Sequence, residues 1–117
     1  MKWTTRILAA VSVTLATSVI LVAAREVKVF ELVLKDHTFT PTKLTIPANQ
    51  KVKIVIVNKD DTAEEFDSFD LNRERFIFAG KRATIYVGPL TPGTYEYFGE
   101  YHPNSARGQV IVVEDKK

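Results

Sequence analysis

The stretch PGTYEYFGEYHPNSARGQVIVV, residues 92–113, reads as two short strands separated by a loop. In the first strand, GTYEYF at 93–98, alternation places two tyrosines on one face and Thr94, Glu96 and Phe98 on the other. The loop begins at Gly99 and holds Glu100 and a lone histidine, His102. Carboxylate and imidazole are both metal ligands, so the residues leave open whether this is a metal-binding loop or a plain turn.

Strand signals are dense in the rest of the chain beyond its N-terminal stretch, and helix signals are scarce. Short apolar runs rich in β-branched residues are separated by turn signals. The segments that read as strands are 27–34, 43–46, 51–58, 64–71, 76–78, 82–88, 93–98 and 109–113. Seven or eight short strands at this spacing predict an all-β Greek-key sandwich or barrel.

The N-terminal stretch reads as an export signal. Two basic residues precede an apolar run over 7–24 that ends in the small-residue triplet VAA, the pattern that a signal peptidase reads. The run is also close to the roughly 20 residues that span a bilayer, which leaves an uncleaved membrane anchor as the alternative. We therefore predict a signal peptide or anchor over 1–24 and an exported domain over 25–117.

The composition narrows the chemistry of the exported domain. The chain has 16 basic and 14 acidic residues and no cysteine. Two of the basic residues lie in the leader, so the domain is near neutral and lacks the basic face that binds nucleic acid. The absence of cysteine removes disulfides, thiolate nucleophiles and thiolate metal ligands.

The segment DDTAEEFDSFD, residues 60–70, concentrates carboxylates. Because strand side chains alternate in direction, Glu65 and Asp67 project from one side of the strand, and Glu64 and Phe66 from the other. If Phe66 faces the core, Glu65 and Asp67 form an outward carboxylate pair; the opposite orientation would bury that pair. Such a pair suits iron, manganese or calcium, and with an added imidazole also Cu(II) or zinc. The alternative is that acids on an edge strand are solvated and only discourage aggregation.

Two longer segments carry a resemblance to a known family. FTPTKLTIPANQKVKIVIVNKD at 39–60 and GPLTPGTYEYFGEYHPNSARGQVIVV at 88–113 resemble the opening and the close of small cupredoxins. The two segments occur in the right order and at the right separation. The resemblance implies a β-sandwich of cupredoxin type whose ligand loop is the one after the strand at 93–98.

The cupredoxin copper ligands do not carry over onto this sequence. In that family the late loop supplies a cysteine, a histidine and a methionine, and the resemblance places Gly99, His102 and about Ala106 at these positions. The early histidine ligand falls on Glu64 or Glu65. A blue-copper site needs a thiolate and two imidazoles, so the sequence excludes blue-copper electron transfer.

A closer resemblance is to the cupredoxin-like proteins that accompany bacterial iron permeases, and it covers AEEFDSFDLN at 63–72 and GKRATIYVGPLTPGTYEYFGEYHP at 80–103. These proteins keep an acid–aromatic–acid triplet, which reads EFD at 65–67 here, and the form fused to a helical domain has an acid where Glu96 stands. A ligand cysteine of the fused form lies close to the position of His37. The resemblance implies a periplasmic location, an iron or copper ion, and two partners: a periplasmic iron-binding protein and an inner-membrane iron permease.

Three functional hypotheses follow. The first is a periplasmic metal-binding protein that assists high-affinity iron uptake and meets the membrane only through an uncleaved leader. Its candidate ligands are Glu65, Asp67, Glu100, His102, His37, Glu64 and Glu96. The second is a metal-free interaction module of an envelope complex. The third is a copper-dependent ferroxidase, which ranks below a binding role because the sequence shows no electron acceptor.

Overall fold

The computed structural model describes residues 9–14, 16, 18 and 26–115. The predicted export signal over 1–24 lies largely outside these residues, and so does its predicted boundary with the domain. Across the described ranges, no helix is long and apolar enough to cross a membrane. The regular secondary structure of the described residues consists of nine β-strands.

The strands are β1 Lys28–Lys35, β2 Thr38–Thr40, β3 Lys43–Pro47, β4 Val52–Asn58, β5 Glu64–Ser68, β6 Arg73–Ile77, β7 Arg82–Val87, β8 Gly93–Gly99 and β9 Arg107–Val113. The predicted number of seven or eight strands is therefore one or two too low. The strand that was not predicted is β2, which has three residues and is too short to show any periodicity. β6 begins three residues earlier than predicted. These three residues are charged and exposed, so the sequence gave no apolar signal for the start of the strand.

The strands form two sheets around one apolar core, which confirms the predicted all-β sandwich. One sheet has the order β2-β1-β4-β7 and the other the order β3-β9-β8-β5-β6. Most neighbours are antiparallel, but β1 pairs with β4 and β3 with β9 in parallel. Side chains of both sheets contribute to the same buried cluster.

The orientation of β5 settles which side of the 64–68 strand faces the core. Phe66 is fully buried, whereas Phe69 is 85% exposed. The Phe66 ring packs with Phe39 and Tyr97, at centroid distances of 6.2 and 5.0 Å. The outward carboxylate pair that this orientation predicts, Glu65 and Asp67, is therefore present on the other side of the strand.

The pairing of β5 with β8 positions the candidate site. Phe66 lies opposite Gly99, and Asp67 lies opposite Phe98. The late loop, residues 100–106, leaves β8 at this point and returns through a backbone hydrogen bond from the Gly99 N–H to the Ala106 carbonyl (2.7 Å). The acidic strand and the late loop thus meet at one end of the sandwich.

Candidate metal centre

His37 lies in the two-residue turn that joins β1 to β2. Asp36 and His37 have φ values of 52° and 57°, the two positive values that a tight type I′ turn requires. Asp60 holds this turn, because its carboxylate oxygens accept hydrogen bonds from the backbone N–H groups of Asp36 (2.6 Å) and His37 (2.9 Å). The turn places the His37 ring against His102 of the late loop, with ring centroids 3.5 Å apart and an interplanar angle of 12°.

Glu64 is a buried carboxylate at the start of β5, only 1% exposed. Its Oε1 accepts hydrogen bonds from the backbone N–H groups of Glu65 (3.0 Å) and Tyr101 (2.8 Å). Its Oε2 lies 2.7 Å from Nδ1 of His102. This is a hydrogen-bond distance, so one of the two atoms carries a proton that the other accepts. Glu64 therefore fixes the late loop to β5 through both of its oxygens.

The Glu64 carboxylate also fills the space that a side chain at position 99 would need. A Cβ atom on Gly99 would lie 2.7 Å from Cδ and 2.9 Å from Oε2 of Glu64, and 2.8 Å from Cβ of Ala106. By the cupredoxin resemblance, positions 99 and 106 are those of the copper cysteine and methionine. A carboxylate and a methyl group thus pack where a copper–thiolate unit would have to fit.

The two histidines are not arranged to hold one ion between them. The metal-binding lone pair of an imidazole nitrogen lies in the plane of its ring. Because the His37 and His102 rings are stacked 3.5 Å apart and nearly parallel, their lone pairs do not converge on a common point. Together with the missing thiolate and the filled position 99, this arrangement does not fit a blue-copper centre.

A cysteine restored at position 99 should not restore such a centre. Gly99→Cys should lower the free energy of unfolding by about 1–3 kcal/mol, the usual cost of overpacking a filled site. With added Cu(II) it should give no intense visible band from thiolate-to-copper charge transfer. Denaturant titration and absorption spectroscopy check both points, with Ser105→Cys as the control for an exposed thiol in the same loop. A stable, strongly blue variant would contradict the steric argument.

A second group of carboxylates lies on the outer side of β5. Glu65, Asp67 and Glu100 each offer an oxygen, and these atoms all lie within 4.8 Å of one another. We call these three residues the acidic cluster. Glu100 lies near Glu65 because its backbone N–H donates to the Glu65 carbonyl (2.9 Å). The neighbouring Tyr101 hydroxyl donates to Oε2 of Glu65 (3.4 Å).

Asp67 is the buried member of the acidic cluster. It is 8% exposed, and its Oδ1 has no hydrogen-bond partner among the described residues. Burial, contact with the Glu100 carboxylate and the charge of Glu65 raise the pKa of Asp67 to about 7. Near neutral pH the cluster therefore carries less negative charge than its three carboxyl groups suggest, and a bound cation would have to displace a proton.

The predicted site residues thus separate into two groups and one outlier. Glu64, His102 and His37 form the inner group, which is joined by hydrogen bonding and stacking. Glu65, Asp67 and Glu100 form the outer acidic cluster. Glu96 belongs to neither group. It lies within β8, and the four residues from Glu96 to Glu100 correspond to about 13 Å of extended chain. Its side chain contacts Gln109 instead.

Two contributions at this end of the sandwich were not predicted. Asp60 is the acceptor that holds the His37 turn, and Glu64 is an interior hydrogen-bonding group rather than an outward ligand. A signal for the second existed in the sequence. Once Phe66 is assigned to the core, alternation places Glu64 inside as well, and a buried carboxylate needs partners.

Comparison with known proteins agrees with this description of the fold. The profile of the Cupredoxin-like domain matches residues 6–112. An uncharacterized protein of Rickettsia prowazekii (strain Madrid E) is 42% identical over 82 residues, which cover 70% of this chain and 66% of that protein. The match therefore spans slightly less than two thirds of the relative's length.

Solved structures with the same fold include several cupredoxins. Auracyanin B has a TM-score of 0.63 and 17% identity, over 74% of this chain and 88% of its own. A purple cupredoxin from Nitrosopumilus maritimus has a TM-score of 0.56 and 20% identity, over 72% of this chain and 99% of its own. The metal-binding domain of the Cu(I)-exporting P-type ATPase of Streptococcus pneumoniae D39, solved with Cu(I), has a TM-score of 0.63 and 14% identity. The match covers 74% of this chain and 85% of that domain. Identities this low show a shared fold alone, but with the profile match they lead to one conclusion: the chain belongs to the cupredoxin-like domain family.

Proposed function

We propose that this protein is an exported metal-binding protein that holds an iron ion in the acidic cluster and passes it on within an iron-uptake system. The observation that carries the proposal is the buried, unpartnered Oδ1 of Asp67 beside the carboxylates of Glu65 and Glu100. A buried polar atom without a partner is costly, and a cation in the cluster would satisfy it. Carboxylate oxygens favour hard cations, and the resemblance to companions of bacterial iron permeases makes iron the first candidate among them, with Cu(II) as the competing one.

The cellular part of the proposal has a different basis. The uptake role, the periplasmic location and the partners, an iron-binding protein and an inner-membrane iron permease, derive from the resemblance of residues 63–103 to companions of bacterial iron permeases. The export signal in the sequence over 1–24 supports the location. The Cu(I)-bound domain from Streptococcus pneumoniae supports metal binding as one use of the fold.

The proposal is tested by anaerobic calorimetric titration of the metal-free protein with Fe(II). Asp67→Ala and Glu100→Ala should each weaken Fe(II) binding at least tenfold, or about 1.4 kcal/mol, because each removes one of three ligands. Glu96→Ala removes the same charge from β8, outside the cluster, and it should change the affinity less than about twofold.

A histidine variant shows which of the two groups of residues binds Fe(II). We expect His102→Gln to leave Fe(II) affinity within about twofold of the wild type, because the imidazole lies outside the acidic cluster. Absence of Fe(II) binding by the wild-type protein would refute the proposal. So would Fe(II) binding that depends on His102 and not on Asp67.

One observation favours a second candidate, a metal-free interaction module. The contact between Glu64 and His102 joins the strand and the late loop, a connection that a metal ion makes in copper-binding relatives of this fold. Under this alternative, partner binding in cell-envelope extracts is unchanged by a chelator and by Asp67→Ala. Under the metal-binding proposal, the protein also binds Fe(II), and Asp67→Ala weakens that binding at least tenfold.

A further inference from the structure

Exposed aromatic rings lie beside the acidic cluster on the outer side of β5 and β6. Phe76, Phe78 and Tyr101 are 43%, 67% and 48% exposed. Their rings are in contact, with centroids 4.8 Å apart for Phe76 and Phe78 and 6.4 Å apart for Phe76 and Tyr101. Contiguous apolar surface of this kind often marks an interaction site. We name the surface made by Phe76, Phe78, Tyr101, Glu65, Asp67, Glu74 and Glu100 the acidic aromatic face.

This face is acidic and lacks neutralising partners. Glu74 lies directly opposite Asp67 in the β5–β6 register, so it places a fourth carboxyl group beside the acidic cluster. Within the part of the chain that the structure describes, no Lys or Arg lies within 4.0 Å of any of these four carboxyl groups. Arg73, which precedes Glu74 on the strand, points away and donates through Nε to the Tyr86 carbonyl on β7 (2.9 Å).

The edge of the sheet is protected, although its face is open. β6 is the outermost strand of its sheet, so its free backbone groups could in principle recruit another strand. Arg73 and Arg75 alternate with Glu74 and Phe76, and both arginines are exposed on the side of β6 that faces away from the acidic aromatic face. Charged residues at such positions discourage strand addition. A partner would therefore dock on the face.

We infer that the acidic aromatic face is a docking surface for a protein that presents lysine or arginine side chains next to an apolar patch. Charge complementarity selects this occupant. A second copy of this chain, related by a two-fold axis through the face, would oppose carboxylate to carboxylate. The inference deepens the proposed function, because a partner docked here would lie against the acidic cluster, but docking itself requires no metal.

The test uses three synthetic peptides and the isotope-labelled full-length protein in the presence of EDTA. The probe KWKGKWK combines charge and aromatic surface, EWEGEWE reverses the charge, and KGKGKGK lacks the aromatic rings. We expect KWKGKWK to shift the amide resonances of residues 74–78 and 100–101, and to bind at least about tenfold more tightly than either control peptide. Added salt should weaken this binding.

Two variants make the test specific to the face. Phe78→Ser should weaken binding of KWKGKWK at least fivefold, whereas Tyr86→Ser, which removes a 44% exposed aromatic residue from the other sheet, should leave it unchanged. Equal binding of the acidic peptide, shifts centred on β7, or full binding by Phe78→Ser would each overturn the inference. Because EDTA is present, failure here is distinct from failure of Fe(II) to bind in the metal titration.

Discussion

Replacement of Glu64 by alanine is expected to lower the free energy of unfolding by about 3–5 kcal/mol, because each buried hydrogen-bonding group left without its partner costs about 1–3 kcal/mol. The variant would leave the backbone N–H of Tyr101 and Nδ1 of His102 without their acceptor, and it would open a cavity beside Gly99. Denaturant titration at neutral pH measures the loss.

Two further variants distinguish the role of Glu64 from a general effect of charge. Glu65→Ala removes the same side chain from the outer face of the same strand and should cost less than about 1 kcal/mol. Glu64→Gln keeps an acceptor for the Tyr101 N–H and should fall between the two. Because Tyr101 is adjacent to Glu100, Glu64→Ala should also weaken Fe(II) binding. Equal stability of the Glu64→Ala and Glu65→Ala variants would show that Glu64 does not hold the late loop.

The metal-free protein should lose about 2–4 kcal/mol of its unfolding free energy through Asp67 as the pH rises from about 4 to about 7. Burial in the acidic cluster raises the pKa of this carboxyl group from 3.8 to about 7. Between these values the folded state keeps a proton that the unfolded chain releases. The folded state thus binds more protons in this range, so its stability falls with increasing pH.

The contribution of Asp67 is isolated by subtracting the curve of Asp67→Asn from that of the wild type. Asparagine resembles the protonated acid in shape and cannot ionise, so this variant should be the more stable protein above about pH 7. Asp61→Asn, which removes an exposed acid elsewhere, is the matched control and should reproduce the wild-type slope. A wild-type curve parallel to that of Asp67→Asn would contradict the raised pKa.

Most of the strands could be predicted from the sequence because they carry a local pattern. Alternation in the strand at 93–98 and the turn signals between apolar runs predict a β-sandwich. The three-residue strand β2 gave no such signal, and the charged start of β6 concealed its beginning. Both depend on pairing with a neighbouring strand rather than on their own composition.

The site was predictable in its composition but not in its arrangement. The carboxylates of β5 and the late-loop histidine were predicted as ligands of one metal site, and the structure places them at the same end of the sandwich. That they divide into an inner and an outer group depends on which side of β5 faces the core, which the sequence alone left open. The stacking of His37 on His102 depends on a turn fixed by Asp60, a contact between distant parts of the chain.

The contact between Glu64 and His102 has a consequence for the order of events in the cell. Many small metalloproteins acquire their shape only when the ion arrives, and they are lost when it is scarce. Here a carboxylate and an imidazole of the chain itself join the acidic strand to the late loop, so this connection does not depend on a metal ion. For the proposed iron-binding function, this means that the protein would be folded, with its acidic cluster empty, when iron is scarce.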